Sequence, residues 1–126
     1  MEKESLTLGE LEGELYALKK EYMSGDLPVM VDTPNGVFDA GHLSSYRGYY
    51  EDLSLDLTEP VTLNDLLSEA ESLSRGGMVD GYKGGEFWMD GSTAVWASPY
   101  GEVWGLIVCG VHVKKGKIII ETKEIN

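Results

Sequence analysis

Residues 104–122 read Trp-Gly-Leu-Ile-Val-Cys-Gly-Val-His-Val-Lys-Lys-Gly-Lys-Ile-Ile-Ile-Glu-Thr. Two runs rich in β-branched residues, Trp104–Val113 and Lys117–Thr122, flank Lys114-Lys115-Gly116, a turn short enough to fold one run back on the other as a hairpin. Upstream, Glu86–Met89 and Thr93–Ala97 carry the same composition, with Asp90-Gly91 and Pro99-Tyr100-Gly101 as turns, so the chain from Met78 onward reads as β. Between Tyr49 and Leu57, Leu53, Leu55 and Leu57 alternate with Asp52, Ser54 and Asp56, the period of a half-buried strand. Val29–Asp32 and Val37–Asp39 flank Thr33-Pro34-Asn35-Gly36 and are expected to pair.

Two segments have helical period instead. Leu8, Leu11, Leu15, Leu18 and Tyr22 recur at intervals of three and four behind a Thr7/Glu10 capping box. The helix is expected to end near Ser24-Gly25, with glycine in the left-handed conformation and Pro28 beyond it. Thr62-Leu63-Asn64-Asp65 opens a second helix with Leu63, Leu66, Leu67, Ala70 and Leu73 on its apolar face, closed by Arg75-Gly76-Gly77. Helix, strands, helix, strands, with mostly hairpin-length connections, predicts an α+β fold: an antiparallel β-sheet with two amphipathic helices packed on one face, residues 1–126 forming a single domain.

Composition narrows the function. Apolar residues make up 42% of the 126 and charged residues 25%, ordinary values for a globular chain. Ten basic against 22 acidic residues give a net charge of −12, which argues against direct DNA or RNA binding through neutralised phosphates. One cysteine, Cys109, has no partner for an internal disulfide, and its apolar run Leu106–Val111 makes it an expected inert core thiol in a reducing interior. The charged start Met1-Glu2-Lys3-Glu4 and the lack of an 18-residue apolar stretch lead us to expect no membrane association and no export. His42 and His112 lie far apart with no HExxH-type partners, and read as a loop donor and a strand-face residue. No metal, cofactor or catalytic set is expected, so the chain is read as a non-enzyme.

The informative feature is where the aromatic, glycine and basic residues fall. Nine of the 12 aromatics occupy two patches, Ser45–Tyr50 and Tyr82–Trp104, and the only arginines are Arg47 and Arg75. In Gly81-Tyr82-Lys83-Gly84-Gly85-Glu86-Phe87-Trp88 the glycines lack P-loop or dinucleotide-fold spacing, yet they let backbone N–H groups approach an anion. Arg47, set between tyrosines beside Gly48, is suited to hold one phosphate while rings stack on a base. Two other readings stay open at this point: the aromatics fill the core or the sheet, and Arg47 pairs with Glu51 or Asp52.

At these segments the chain resembles small phage-encoded proteins that carry Ser-Tyr-Arg-Gly-Tyr-Tyr-Glu-Asp-Leu, here Ser45 to Leu53, and Gly-Tyr-Lys-Gly-Gly-Glu, here Gly81 to Glu86, followed by an aromatic. The layout is similar to that of the anti-Thoeris sponge family, which sequesters cyclic ADP-ribose-type immune signals. The resemblance implies a viral immune-evasion protein acting in the host cytoplasm. It also implies a homo-oligomer with pockets between subunits, and in some members further sites for cyclic oligonucleotides. Carried over residue by residue, it places Arg47 and Lys83 on phosphates beside the Gly84-Gly85 loop, and Tyr46, Tyr49, Tyr82, Phe87 and Trp88 around base and ribose. The terminal strands offer Lys114, Lys115 and Lys117 but no arginine.

Two competing classes remain. One reads the 22 carboxylates as an imitation of the phosphate spacing of nucleic acid that blocks a nuclease or another defence enzyme through its basic groove, against the plainer account that the same charge serves solubility. A small cyclic-nucleotide hydrolase is the third class, disfavoured by the lack of clustered histidines.

Overall fold

The computed structural model describes residues 5–57 and 59–125. In chain order it contains α1 (Leu8–Tyr22), β1 (Val29–Thr33), β2 (Gly36–Asp39), β3 (Leu43–Tyr46), β4 (Tyr49–Leu55), α2 (Leu63–Ser74), β5 (Met78–Asp80), β6 (Glu86–Trp88), β7 (Val95–Ala97), a 3-10 turn over Pro99–Gly101, β8 (Leu106–Lys114) and β9 (Lys117–Glu124). Seven strands form one curled sheet in the order β2-β1-β9-β8-β7-β4-β3, and β5 pairs with β6 in a separate ribbon. The fold is α+β, as the patterning requires.

The terminal hairpin forms as expected, with Val113 opposite Ile118 and Val111 opposite Ile120. Its regularity breaks at Cys109, where the register shifts between Val108 and Gly110. The extra residue moves the alternation by one, so that Val108 before it and Val111 and Val113 after it all reach the core. Cys109 is thereby turned outward. The expectation of a core thiol is corrected: Cys109 is exposed, its Sγ 3.5 Å from the Glu121 carbonyl. Partial desolvation, and then the Glu121 charge, hold the thiol above its ordinary pKa, against a smaller opposing effect of Lys123.

The sheet is mostly antiparallel, but β1 with β9 and β4 with β7 run parallel. Parallel neighbours need a long crossover, and the chain from β4 to β7 supplies one through α2 and the β5–β6 ribbon. The β1–β2 hairpin is the expected one, with Thr33 opposite Gly36. Residues 36–46 then behave as one bent strand. Ala40 N–H still donates to Val29 of β1, whereas Gly41 N–H donates to Asp56 and Asp56 N–H to His42, extending the ladder with β4. One strand therefore passes from one end of the sheet to the other, leaving little free edge. A Cβ on Gly41 would lie 3.1 Å from the Glu59 carbonyl oxygen and 3.2 Å from Asp56 Cβ, which explains the small residue at the corner.

Both helices start on reciprocal capping boxes, Thr7/Glu10 and Thr62/Asp65. The α2 face is as read, with Leu63, Leu66, Leu67, Ala70 and Leu73 all buried. On α1, Leu8, Leu11 and Leu15 are fully buried, but Tyr22 is exposed and lies off the working stripe. The left-handed cap is Met23, at φ 52°, rather than Gly25. Gly25 instead uses its carbonyl to accept the Asn64 N–H in the first turn of α2. One contiguous apolar cluster joins the two helices to Val29, Val31, Leu53, Leu55, Val95, Val108, Ile118 and Ile120 of the sheet.

The strand read as Tyr49–Leu57 ends at Leu55, and its polar face is not all solvent-exposed. Ser54 is fully buried, its hydroxyl 2.9 Å from that of Ser98. Asp52 accepts a hydrogen bond from Trp96 Nε1, and Trp96 stacks on Tyr46 at 4.5 Å with the rings 5° from parallel.

Glu69 fastens α2 to the bent strand. It accepts from the Leu43 N–H, and its other carboxylate oxygen lies 2.9 Å from His42 Nδ1. The hydrogen bond and the charge of Glu69 raise the His42 pKa, partial burial opposes them, and Glu59 and Asp65 add to the rise. A raised folded-state pKa means stability that is fully present below the ordinary value of 6.5 and lost as pH climbs through the folded value. The melting-temperature difference between wild type and His42→Gln should therefore be larger at pH 6 than at pH 9. An equal difference at both pH values would remove the charge contribution.

Candidate functional site

The Ser-Tyr-Arg-Gly-Tyr-Tyr element is the β3–β4 turn. A register shift between Ser45 and Tyr46 loosens the ladder there, and Ser45 Oγ donates to the Tyr50 carbonyl across it. The backbone of Arg47 is fixed from outside the hairpin, its N–H donating to the Gly101 carbonyl at 2.9 Å. Gly101 sits at φ 75°, and a Cβ there would lie 2.7 Å from the Ser45 carbonyl oxygen, so only glycine allows the 3-10 turn to approach this closely.

Arg47 lies with its guanidinium carbon 3.6 Å from the centre of the Tyr82 ring. Tyr82 belongs to the Gly81–Gly85 loop, which closes the β5–β6 ribbon through Gly81 N–H to the Gly85 carbonyl and Gly84 N–H to the Gly81 carbonyl. Among the described residues no carboxylate ion-pairs with Arg47, and its buried Nε has no hydrogen-bond acceptor. The pairing with Glu51 or Asp52 left open by the sequence is not formed. Asp52 is held by Trp96 instead.

Beside Arg47 lies an open cavity of about 380 Å³, lined by Arg47, Gly48, Tyr49, Tyr50, Glu51 and Phe87. Tyr50 and Phe87 meet edge to face at 5.5 Å. Glu51 and Phe87 also line a second open cavity of about 590 Å³, with Asp52, Glu86, Trp88 and Asp90 among its lining residues. Burial lifts the Asp52 pKa, the Trp96 hydrogen bond opposes this, and the neighbouring Glu51 charge adds to the lift. The Asp90 pKa is lowered by hydrogen bonds from the Ser92 side chain and backbone.

The structure thus gathers Arg47, Tyr49 and Phe87 around one cavity, Trp88 around its neighbour, and Tyr82 against the Arg47 guanidinium. It separates the others. Tyr46 is only 3% exposed with a ring face covered by Trp96, so its place is in the sheet and not against a ligand. Lys83, Gly84 and Gly85 are exposed on the ribbon loop and line neither cavity, and the Gly84 amide is used within the turn. Tyr50, Glu86 and Asp90 carry no site role in the sequence reading, and Glu51 and Asp52 enter it only as partners for Arg47. Their convergence depends on the β5–β6 ribbon lying against β4.

The two histidines lie outside this region. His42 binds Glu69, and His112 Nδ1 lies 3.2 Å from Glu121. Among the described residues no cluster of His, Cys, Asp and Glu has the geometry of a metal site, and no helix is long and apolar enough to cross a membrane. No family model, curated protein or solved structure matches the chain.

Proposed function

We propose that the protein binds a cyclic nucleotide of the ADP-ribose type and holds it without degrading it, serving a phage as a sponge for a host immune signal in the host cytoplasm. The observation that carries the reading is Arg47, which no carboxylate among the described residues pairs with and whose buried Nε–H has no acceptor among them, held against Tyr82 at the side of a cavity lined by Tyr49, Tyr50 and Phe87. In a chain of net charge −12 such a group is matched by an anionic oxygen, and the rings around it offer faces or edges to a base. The 380 Å³ cavity and its 590 Å³ neighbour fall within the range of small-ligand sites. Incubation with a mixture of candidate nucleotide signals, then denaturation and mass spectrometry of what is released, tests it. Intact ligand supports the sponge, and degraded ligand means catalysis.

The reading includes self-association. Tyr49, Tyr82, Tyr100 and Val103 are each about 60% exposed or more, and Arg47 and Gly48 touch the loop that carries Tyr100 and Val103. Exposed apolar residues gathered in this way mark interaction surfaces. Light scattering at micromolar concentration should give at least twice the 13.8 kDa chain mass; a monomer mass removes this part of the proposal.

The carboxylates of the larger cavity favour a second reading, an acidic mimic that occupies the basic groove of a nuclease. That protein would release no nucleotide and would bind a basic enzyme with steep salt dependence.

A further inference from the structure

We infer that the β5–β6 ribbon is a hinged flap beside the Arg47 cavity, latched by the Tyr82 ring on the Arg47 guanidinium and drawn shut by a ligand that spans the two. The coupling to a ligand rests on the nucleotide reading above; the hinge rests on the ribbon's own attachments.

The ribbon is a sheet of its own, and among the described residues its backbone hydrogen bonds stay within residues 77–89: the β5–β6 ladder, Gly81 N–H to Gly85, Gly84 N–H to Gly81, and Met89 N–H to the Gly77 carbonyl at the base. Beyond its two covalent ends, only side chains tie it to the body. Tyr82 lies on Arg47, Phe87 meets Tyr50 edge to face, and the half-buried Val79 and Phe87 pack against the core. No side chain from Met78 to Trp88 is buried, whereas β8 and β9 bury Leu106, Ile107, Val108, Ile118 and Ile120. A segment with so few buried apolar contacts opens at low free energy. Its ends suit the motion: Gly76, at φ 99°, and Gly77 lead in, Gly91 leads out, and Met89, 2% exposed, pins the base.

Both cavities are shared between this ribbon and the β3–β4 hairpin. Phe87 of β6 lines both, with Arg47, Tyr49 and Tyr50 of the hairpin on the first and Glu51 and Asp52 of β4 on the second. A ligand touching Arg47 and Phe87 therefore binds body and ribbon at once, and is held less well when the ribbon swings away. Stacking occupies the face of the guanidinium and leaves its in-plane N–H groups for an anion, so Tyr82 and the ligand act on Arg47 together and not in competition. By reciprocity, whatever steadies the ribbon tightens binding to the same degree that bound ligand steadies the ribbon. Tyr82 acts as a positioning residue, through Arg47 and through the ribbon that carries it.

Hydrogen-exchange mass spectrometry of the whole chain, free and with saturating cyclic ADP-ribose, tests this in wild type, Tyr82→Ala and Tyr82→Phe. Tyr82 is 59% exposed, so both variants should keep the fold. A two-stranded ribbon is at best marginally stable by itself, so exchange of its paired amides reports release from the body. In the free protein those amides should exchange about 100-fold or more faster than the paired amides of β8 and β9. Tyr82→Ala should speed them a further ~2- to 5-fold, the size of an exposed cation–π contact, while Tyr82→Phe keeps the wild-type rate. Cyclic ADP-ribose should slow them about 10-fold or more, and it should leave Tyr82→Ala about 2- to 5-fold faster than it leaves wild type or Tyr82→Phe. Ribbon amides as slow as those of β8 and β9 in the free protein would overturn the hinge. Ligand that binds without protecting the ribbon would overturn the coupling while the sponge reading stands. If cyclic ADP-ribose does not bind, the nucleotide reading fails together with the coupling, and the free-protein exchange of the three proteins still decides the hinge.

Discussion

Truncating Leu53 to alanine is expected to remove about 3 to 5 kcal/mol of folding stability, the upper part of the range for buried leucines. Leu53 is fully buried in the middle of β4, between Ser45 of β3 and Val95 of β7, and it belongs to the cluster that joins the sheet to both helices. The cavity left behind has little means of collapsing, because β4 is held on both sides by backbone ladders. Domains of this size have roughly 5 to 15 kcal/mol in total, so the variant should melt more than 10 °C below wild type. A loss under 1 kcal/mol by denaturant titration would mean that Leu53 is not in the core. Ser54→Ala, one residue along, removes one hydroxyl partner of Ser98 and should cost only about 1 to 2 kcal/mol.

Replacing Arg47 by alanine should reverse that pattern, with a small effect on folding and a large one on binding. The guanidinium stacks on Tyr82, an interaction of about 0.5 to 1 kcal/mol at exposed sites, and its loss is partly offset by removing a buried N–H that has no acceptor. Affinity for cyclic ADP-ribose should fall about 10- to 100-fold, as for a lost hydrogen bond to a charged group. Arg47→Lys should recover only part of it, because an ammonium is a point charge without the planar fork that both stacks and donates in two directions. A large drop in melting temperature with unchanged affinity would assign Arg47 to structure alone.

What the sequence made legible follows from the range over which each signal acts. The capping boxes, the leucine stripes, the Val29–Asp39 hairpin and the Lys114–Gly116 turn are set by residues a few positions apart, and each appears where the pattern puts it. The bulge at Cys109 did not, because the apolar run Leu106–Val111 places the thiol in the core and carries no sign that one residue is left unpaired and turned outward. The parallel pairs and the bent strand at Gly41 join segments tens of residues apart and leave no local trace. At the site, Arg47 and Tyr82 could be matched by composition because each sits in a glycine-flanked aromatic patch. Tyr46 was misplaced for the same reason: neighbours in sequence do not show that a residue at a register shift turns its ring onto Trp96. The acidic wall went unseen because Glu51 and Glu86 meet only when the β5–β6 ribbon lies on β4.

A calorimetric titration of the wild-type protein with cyclic ADP-ribose at low and at physiological ionic strength tests the central claim most directly. The chain carries −12, which repels an anion at long range, whereas the guanidinium and the aromatic walls act at contact. Saturable binding is predicted, with an affinity that stays level or rises modestly as salt screens the repulsion. No heat at either ionic strength, with tight and salt-sensitive binding to a basic defence enzyme instead, would contradict the sponge and establish the acidic mimic.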